Sequence, residues 1–249
     1  MRTIGIIGGM SPESTACYYR DINRIVNQTK GGNHSAPLIL YSVEFQAIAE
    51  QQKNGDWQAA AATLARAARI LQQAGAQALV LATNTMHKVA PQIEAAADIP
   101  LLHILDAAAA ALHRQGISRA AVLGTRFTMQ ANGFYAEGLR QRGIDALMPA
   151  PADQDDIHRI IFQELCVGDI RPQSRERYRD IIARLRQNGA EGVILGCTEI
   201  GLLLQPHDCP LPLFDTAALH AQAAAEFVLA QDANLHCFNA HKAPPHALP

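Results

Sequence analysis

Two stretches of the sequence hold the residues best suited to moving a proton. One runs Gly75-Ala-Gln-Ala-Leu-Val-Leu-Ala into Thr83-Asn84-Thr85, the other Gly189-Ala-Glu-Gly-Val-Ile-Leu-Gly into Cys197-Thr198-Glu199. They align without a gap, 114 residues apart. A near-continuous Val/Ile/Leu run marks a strand buried on both faces of a parallel sheet. The polar cluster after it falls at the carboxyl end of the strand, where open α/β sheets place ligands. Thr83 and Cys197 thus hold equivalent positions in two halves of the chain. A thiol at a strand end, ahead of a helix, is expected to have its pKa lowered by backbone N–H groups and the helix dipole. Free thiols titrate near ~8.5, so a small shift populates the thiolate at neutral pH. Two acid–base groups facing one carbon can take a proton from one side and return it on the other, inverting the centre without a cofactor. Asn84, Thr85, Thr198 and the glycine amides are the candidates to hold a carboxylate and stabilise enolate charge.

Other reactive types lack such a setting. Cys17, Cys166, Cys209 and Cys237 read as small hydrophobes. Five cysteines without a CxxC spacing oppose both a disulfide framework and a zinc site. Ten histidines include no HExxH, so no metal is expected. The segment Gly8-Gly9-Met10-Ser11-Pro12-Glu13-Ser14-Thr15 joins a first strand to a helix, with Ser11 as N-cap and Pro12 in the first turn. Its glycines fit either a small-anion site or a tight turn without a ligand.

The elements that must position these residues follow from the pattern. Strands are expected at 3–7, 37–43, 78–82, 101–105, 120–125, 145–148, 192–196 and 211–215. Helices are expected at 57–74, from about Met86, from Asp106 to His113, and over 133–142, 155–166, 173–188 and 216–229. Residues 44–52 fit a solvated helix or a rim over the strand ends. Ala120 to Gly124 echoes Ile4 to Gly8 at 116 residues, and Leu211 to Asp215 echoes Leu102 to Asp106 at 109. Three echoes at nearly one spacing indicate an internal duplication. The expected fold is α/β, with two pseudo-symmetric Rossmann-like lobes and the active site in the cleft between them. Each lobe is a roughly four-stranded, mostly parallel sheet with helices on both faces. Residues 1–97 plus 213–231 form the first lobe, 98–212 the second, and 232–249 a tail.

The motifs Gly8-Gly9-Met10-Ser11-Pro12-Glu13-Ser14-Thr15, Thr83-Asn84-Thr85-Met86-His87 and Gly196-Cys197-Thr198-Glu199 together resemble the aspartate/glutamate racemase family, over about residues 1–230. The likeness is to its enterobacterial Thr/Cys type, specific for L-aspartate and L-glutamate. It implies cofactor-independent 1,1-proton transfer by two bases in a two-lobed fold, usually a homodimer. Thr83 and Cys197 would be catalytic. Met10, Ser11, Gln52, Asn84, Thr85, Thr125, Thr198 and Glu199 would line the substrate pocket. The family usually has cysteine where this chain has Thr83, so a symmetric two-thiol mechanism does not carry over. Two other readings fit the same residues. One is a single-thiol decarboxylase or cis–trans isomerase of small dicarboxylates from the same superfamily. The other is a non-catalytic binding protein for small metabolites. Arg126 is the candidate cation for an acidic substrate side chain.

Composition narrows the partners. With 49% hydrophobic and 18% charged residues, the 249-residue chain has material for a substantial core. A formal net charge of −2 gives no electrostatic case for nucleic acid or an anionic membrane. The arginines at 175, 177, 179, 184 and 186 are interleaved with acids and read as a solvated helix face. No apolar run approaches the ~18 residues of a spanning helix. The opening apolar stretch is too short for a signal sequence, so the protein is expected to be cytoplasmic.

Overall fold

The computed structural model describes residues 1–231, in which the chain forms two compact units. The first comprises Met1–Leu81, Val89–Leu102 and residues 221–231; the second comprises Ala82–Lys88 and His103–His220.

The first unit contains β1 (Ile4–Gly8), α1 (Pro12–Lys30), β2 (Leu38–Ser42), α2 (Phe45–Asn54), α3 (Trp57–Gln73), β3 (Ala78–Leu81), α4 (Ala90–Glu94) and β4 (Leu101–Leu102). Its four strands are parallel, in the order β2-β1-β3-β4. Every residue of β1 and β3 is buried, which is why both are continuous apolar runs. The stripe Leu64, Ala68 and Leu71 of α3 is fully buried. Gly5 permits the close approach of that helix, since a Cβ there would lie 3.0 Å from Leu71 Cβ and Ala76 Cβ.

The second unit contains α5 (Ile104–Arg114), β5 (Arg119–Gly124), α6 (Phe134–Arg140), β6 (Asp145–Leu147), α7 (Pro151–Gln163), α8 (Pro172–Gln187), β7 (Gly192–Gly196), α9 (Ile200–Leu203), β8 (Leu213–Asp215) and the first turn of α10 (Thr216–Leu229). Its strands are also all parallel, in the order β6-β5-β7-β8. Two apolar clusters pack against this sheet. One joins Ile157, Ile161, Tyr178 and Ile182 of α7 and α8 to Val193 and Leu195. The other joins Ile104, Leu112, Tyr135 and Leu139 of α5 and α6 to Val122 and Ile194. The duplicated sequence is thus a duplicated sheet, with the same strand order in each half.

Three details differ from expectation. The strand foreseen at 101–105 ends at Leu102, because His103 caps α5 with its Nδ1 accepting the Leu105 N–H at 3.1 Å. Asp106 therefore lies in the first turn of a helix, paired with Arg142, and not at a strand tip. The boundaries also move. β4 pairs with β3, so residues 98–102 stay with the first unit; β8 pairs with β7, so 213–220 stay with the second. The expected tail, 232–249, lies outside the described residues.

The arginines of α8 are largely engaged. Arg177 and Arg184 both bond Asp153 Oδ1 of α7 at 2.8 Å, and Arg175 donates to the Leu203 carbonyl at 2.8 Å. Among the described residues no helix is long and apolar enough to cross a membrane.

Candidate active site

Within the second unit, β5 and β7 run side by side and both end in glycine, with Gly124 and Gly196 in register. A Cβ on Gly124 would sit 3.1 Å from the Gly196 carbonyl oxygen, and one on Gly196 would sit 3.0 Å from Thr128 Cγ2. The fully buried Thr128 packs over both tips, so Thr125 and Cys197 are the first residues free to project functional side chains. The Thr125 carbonyl accepts the Thr128 and Met129 N–H groups in a tight turn. Its hydroxyl lies 3.3 Å from that of Thr128 and 3.4 Å from that of Thr85. Thr85 and Thr125, predicted from separate motifs, therefore meet.

Cys197 is half-buried just beyond β7. Its Sγ donates to Glu199 Oε2 at 2.9 Å, and Thr198 Oγ1 donates to the same oxygen at 2.7 Å. This corrects the expected direction of the thiol pKa. Burial first, and then the adjacent Glu199 carboxylate, push the Cys197 thiol well above the usual cysteine range. The helix that follows, α9, has a single turn and so little macrodipole to oppose them. The resting thiol is protonated, with a carboxylate already placed to take its proton.

Residues 82–88 follow β3 in the chain but group with the second unit. They are tied there through Asn84. The Thr216 hydroxyl donates to the Leu195 carbonyl at 2.8 Å, which leaves it to accept Asn84 Nδ2–H at 3.0 Å. Tyr135 O–H donates to Asn84 Oδ1 at 3.1 Å. Tyr135 and Thr216 are fully buried and Asn84 nearly so; burial raises the Tyr135 pKa, which keeps it a donor. Both functional atoms of the Asn84 amide thus have protein partners. Their task is to fasten Thr83-Asn84-Thr85 to β7, two residues before Cys197. Thr216→Val should therefore destabilise the protein by about 2 kcal/mol or more in urea unfolding, by stranding the Leu195 carbonyl and the Asn84 amide; Tyr135→Phe, which strands one acceptor, should cost about 1 kcal/mol.

The second anchor is His87, which is 3% exposed. Ile104 N–H donates to its Nε2 at 3.2 Å, so Nε2 is the bare nitrogen; Nδ1 carries the proton and donates to the Thr83 carbonyl at 2.8 Å. The rings of His103 and His220 stand edge-on to it, at centroid distances of 4.5 and 5.8 Å. Burial, then His103 and His220, hold its pKa well below the ordinary histidine value, with Arg142 adding to the effect. A depressed folded pKa means that the unfolded chain takes up the proton first. The stability tied to neutral His87 is complete above about pH 6.5 and is lost as pH falls below that value, at up to about 1.4 kcal/mol per pH unit. Thermal melts at pH 7 and pH 5 should show a larger drop for wild type than for His87→Asn.

Sequence reasoning did not single out His87, Tyr135 or Thr216. A signal existed for His87, which follows Thr83 by four residues, the spacing of one helical turn. None existed for Tyr135, which is brought in by α6.

The remaining expected pocket residues belong to the first unit. Met10 is buried; Ser11 caps α1, its Oγ accepting the Ser14 N–H at 3.2 Å; Gln52 is half-buried on α2. Gly9, at φ +92°, donates its N–H to Thr15 Oγ1 at 2.8 Å, and a Cβ there would fall 2.4 Å from the Val43 carbonyl. The glycine pair forms a tight turn. Arg126 is exposed and paired with Asp155 at 3.1 Å. Among the described residues Cys17, Cys166, Cys197 and Cys209 form no disulfide. Among the described residues no group of three His, Cys, Asp or Glu side chains could hold a metal ion.

A family described as Asp/Glu/Hydantoin racemase matches residues 7–224. A candidate Asp/Glu racemase from Yersinia pestis is 50% identical in its crystal structure, with a TM-score of 0.89 over 92% of this chain and 100% of that one. An aspartate racemase homologue from Pyrococcus horikoshii OT3 is 33% identical, with a TM-score of 0.80 over 92% of this chain and 100% of that one. A broad specificity amino-acid racemase of Bacillus subtilis strain 168 is 23% identical over 238 residues, 91% of this chain and 98% of its own.

Proposed function

The chain belongs to the Asp/Glu/Hydantoin racemase family and is an amino-acid racemase, and on that premise we propose that it interconverts the L and D forms of aspartate or glutamate with Cys197 and Thr83 as its two acid–base groups. Cys197 works on the L substrate and Thr83, directly or through water, on the opposite face. The observation that carries this reading is the Cys197–Glu199 contact at the end of β7, with Sγ 2.9 Å from Oε2. A buried thiol is a poor base until its proton has somewhere to go. In our reading Glu199 takes the Sγ proton as the thiolate removes the α-hydrogen. It then hands the proton back when the direction reverses. Thr85 and Thr125 serve as hydroxyl donors to a substrate carboxylate. The assembly expected of such an enzyme is a homodimer, which sedimentation measures directly.

The test is incubation with L-aspartate and L-glutamate in D₂O, followed by chiral separation and mass analysis. The expected result is deuterium at Cα together with D product, unaltered by EDTA. Carbon dioxide release or a cis–trans isomer, with no exchange at Cα, would replace this reading with a different chemistry.

A further inference from the structure

We propose that His87 is a positioning residue for Thr83, and that it governs the half-reaction on the Thr83 face while leaving the Cys197 half-reaction largely untouched. The inference rests on the assignment of Thr83 and Cys197 as the two acid–base groups.

Thr83 stands where the chain has left β3 (Ala78–Leu81) and has not yet entered the short 3₁₀ turn Thr85–Val89. No ladder or helical hydrogen bond fixes a residue in such a place. The Thr83 hydroxyl has no hydrogen-bond partner among the described residues. What holds the residue is its backbone carbonyl, which accepts the His87 Nδ1–H at 2.8 Å. The other ring nitrogen is anchored to Ile104 N–H, at the head of α5 and in the core of the second unit. The imidazole is thus a strut between Thr83 and a rigid helix. A β-branched side chain has few χ1 rotamers open to it, so holding the carbonyl narrows where the hydroxyl can lie. A displacement of about 1 Å at a reacting group costs on the order of a hundredfold in rate. Sγ of Cys197 has its own hydrogen bond, to Glu199 Oε2.

The variants that test this separate the two ends of the ring. The Asn side-chain NH₂ falls near the place of Nδ1, so His87→Asn keeps the donor to Thr83 and gives up Ile104. The longer amide in His87→Gln reaches toward Ile104 and gives up Thr83, and His87→Leu gives up both. Two rates are read on each protein: D-product formation from the L substrate, and Cα deuterium exchange of recovered L substrate in D₂O. In His87→Gln and His87→Leu, D-product formation should fall at least about tenfold while L exchange stays within about twofold, and His87→Asn, which keeps the donor to Thr83 but loses the Ile104 anchor, should lose several-fold less D-product formation than either. An equal fall in the two rates, or a defect in His87→Asn as large as in His87→Leu, would make His87 a core residue only and overturn the proposal. If His87→Leu does not fold, the Asn and Gln pair still decides. Failure of the underlying assignment looks different, because Thr83→Ala would then spare D-product formation as well.

Discussion

Cys197→Ser should lower turnover of both enantiomers by about a thousandfold or more, the upper range of what a positioned acid–base group supplies. The oxygen is shorter-bonded and far less acidic than sulfur, and burial beside Glu199, which already raises the thiol pKa, would raise that of a hydroxyl further. The loss must appear as exchange as well as racemisation, because Cys197 opens the reaction on the L face and closes it from the D face. Stability should stay within about 1 kcal/mol, since the replacement keeps a donor to Glu199 and makes no cavity larger than the size difference between sulfur and oxygen. The measurement is chiral product analysis beside deuterium exchange at Cα, with a thermal melt as control. Near-normal racemisation by this variant would remove the thiol from the mechanism.

At Thr83 the expected result is an asymmetry that substitution can tilt either way. Free L and D substrates have equal energies, so kcat/KM must be the same in both directions whatever residue stands at 83. The difference between a thiol face and a hydroxyl face can show only in kcat and KM taken separately. Thr83→Cys, which supplies a far more acidic group, should raise kcat for the D substrate about tenfold or more, toward a symmetric pair of thiols. Thr83→Ala should abolish D-product formation yet keep Cα exchange of the L substrate, because Cys197 and Glu199 are untouched. The carbonyl held by His87 is present in all three proteins, so these variants alter the group and not its placement. Racemisation by Thr83→Ala at the wild-type rate would reduce Thr83 to a turn residue and send the search for the second donor elsewhere.

The duplicated sheet was legible because buried parallel strands write continuous apolar runs, and both copies end in a polar triplet at the same spacing. The position of Cys197 was legible for the same reason. Its ionisation was not. A strand-end cysteine suggested a lowered pKa, and what reverses it is one carboxylate two residues on, whose rotamer no spacing reveals. Asn84 shows a second limit. In a motif it reads as a hydrogen-bonding residue for a ligand, and only the tertiary arrival of Tyr135 and Thr216 shows its amide engaged with the protein. The short β4 failed for a local reason, since a histidine cap is a weaker sequence signal than Ser or Asp.

The way Thr83 is fastened also bears on how the enzyme can change over generations. Its anchor is a backbone carbonyl, and its neighbour Asn84 supplies the other tie, so neither depends on what side chain position 83 carries. A threonine codon reaches a cysteine codon by successive single-base changes that pass through serine. Each of those side chains is small and ends in a proton-bearing oxygen or sulfur, and each leaves both ties intact. Selection can therefore move this site between a hydroxyl and a thiol without first repairing the fold, and the preference for one enantiomer becomes a trait that drifts readily among descendants of one scaffold.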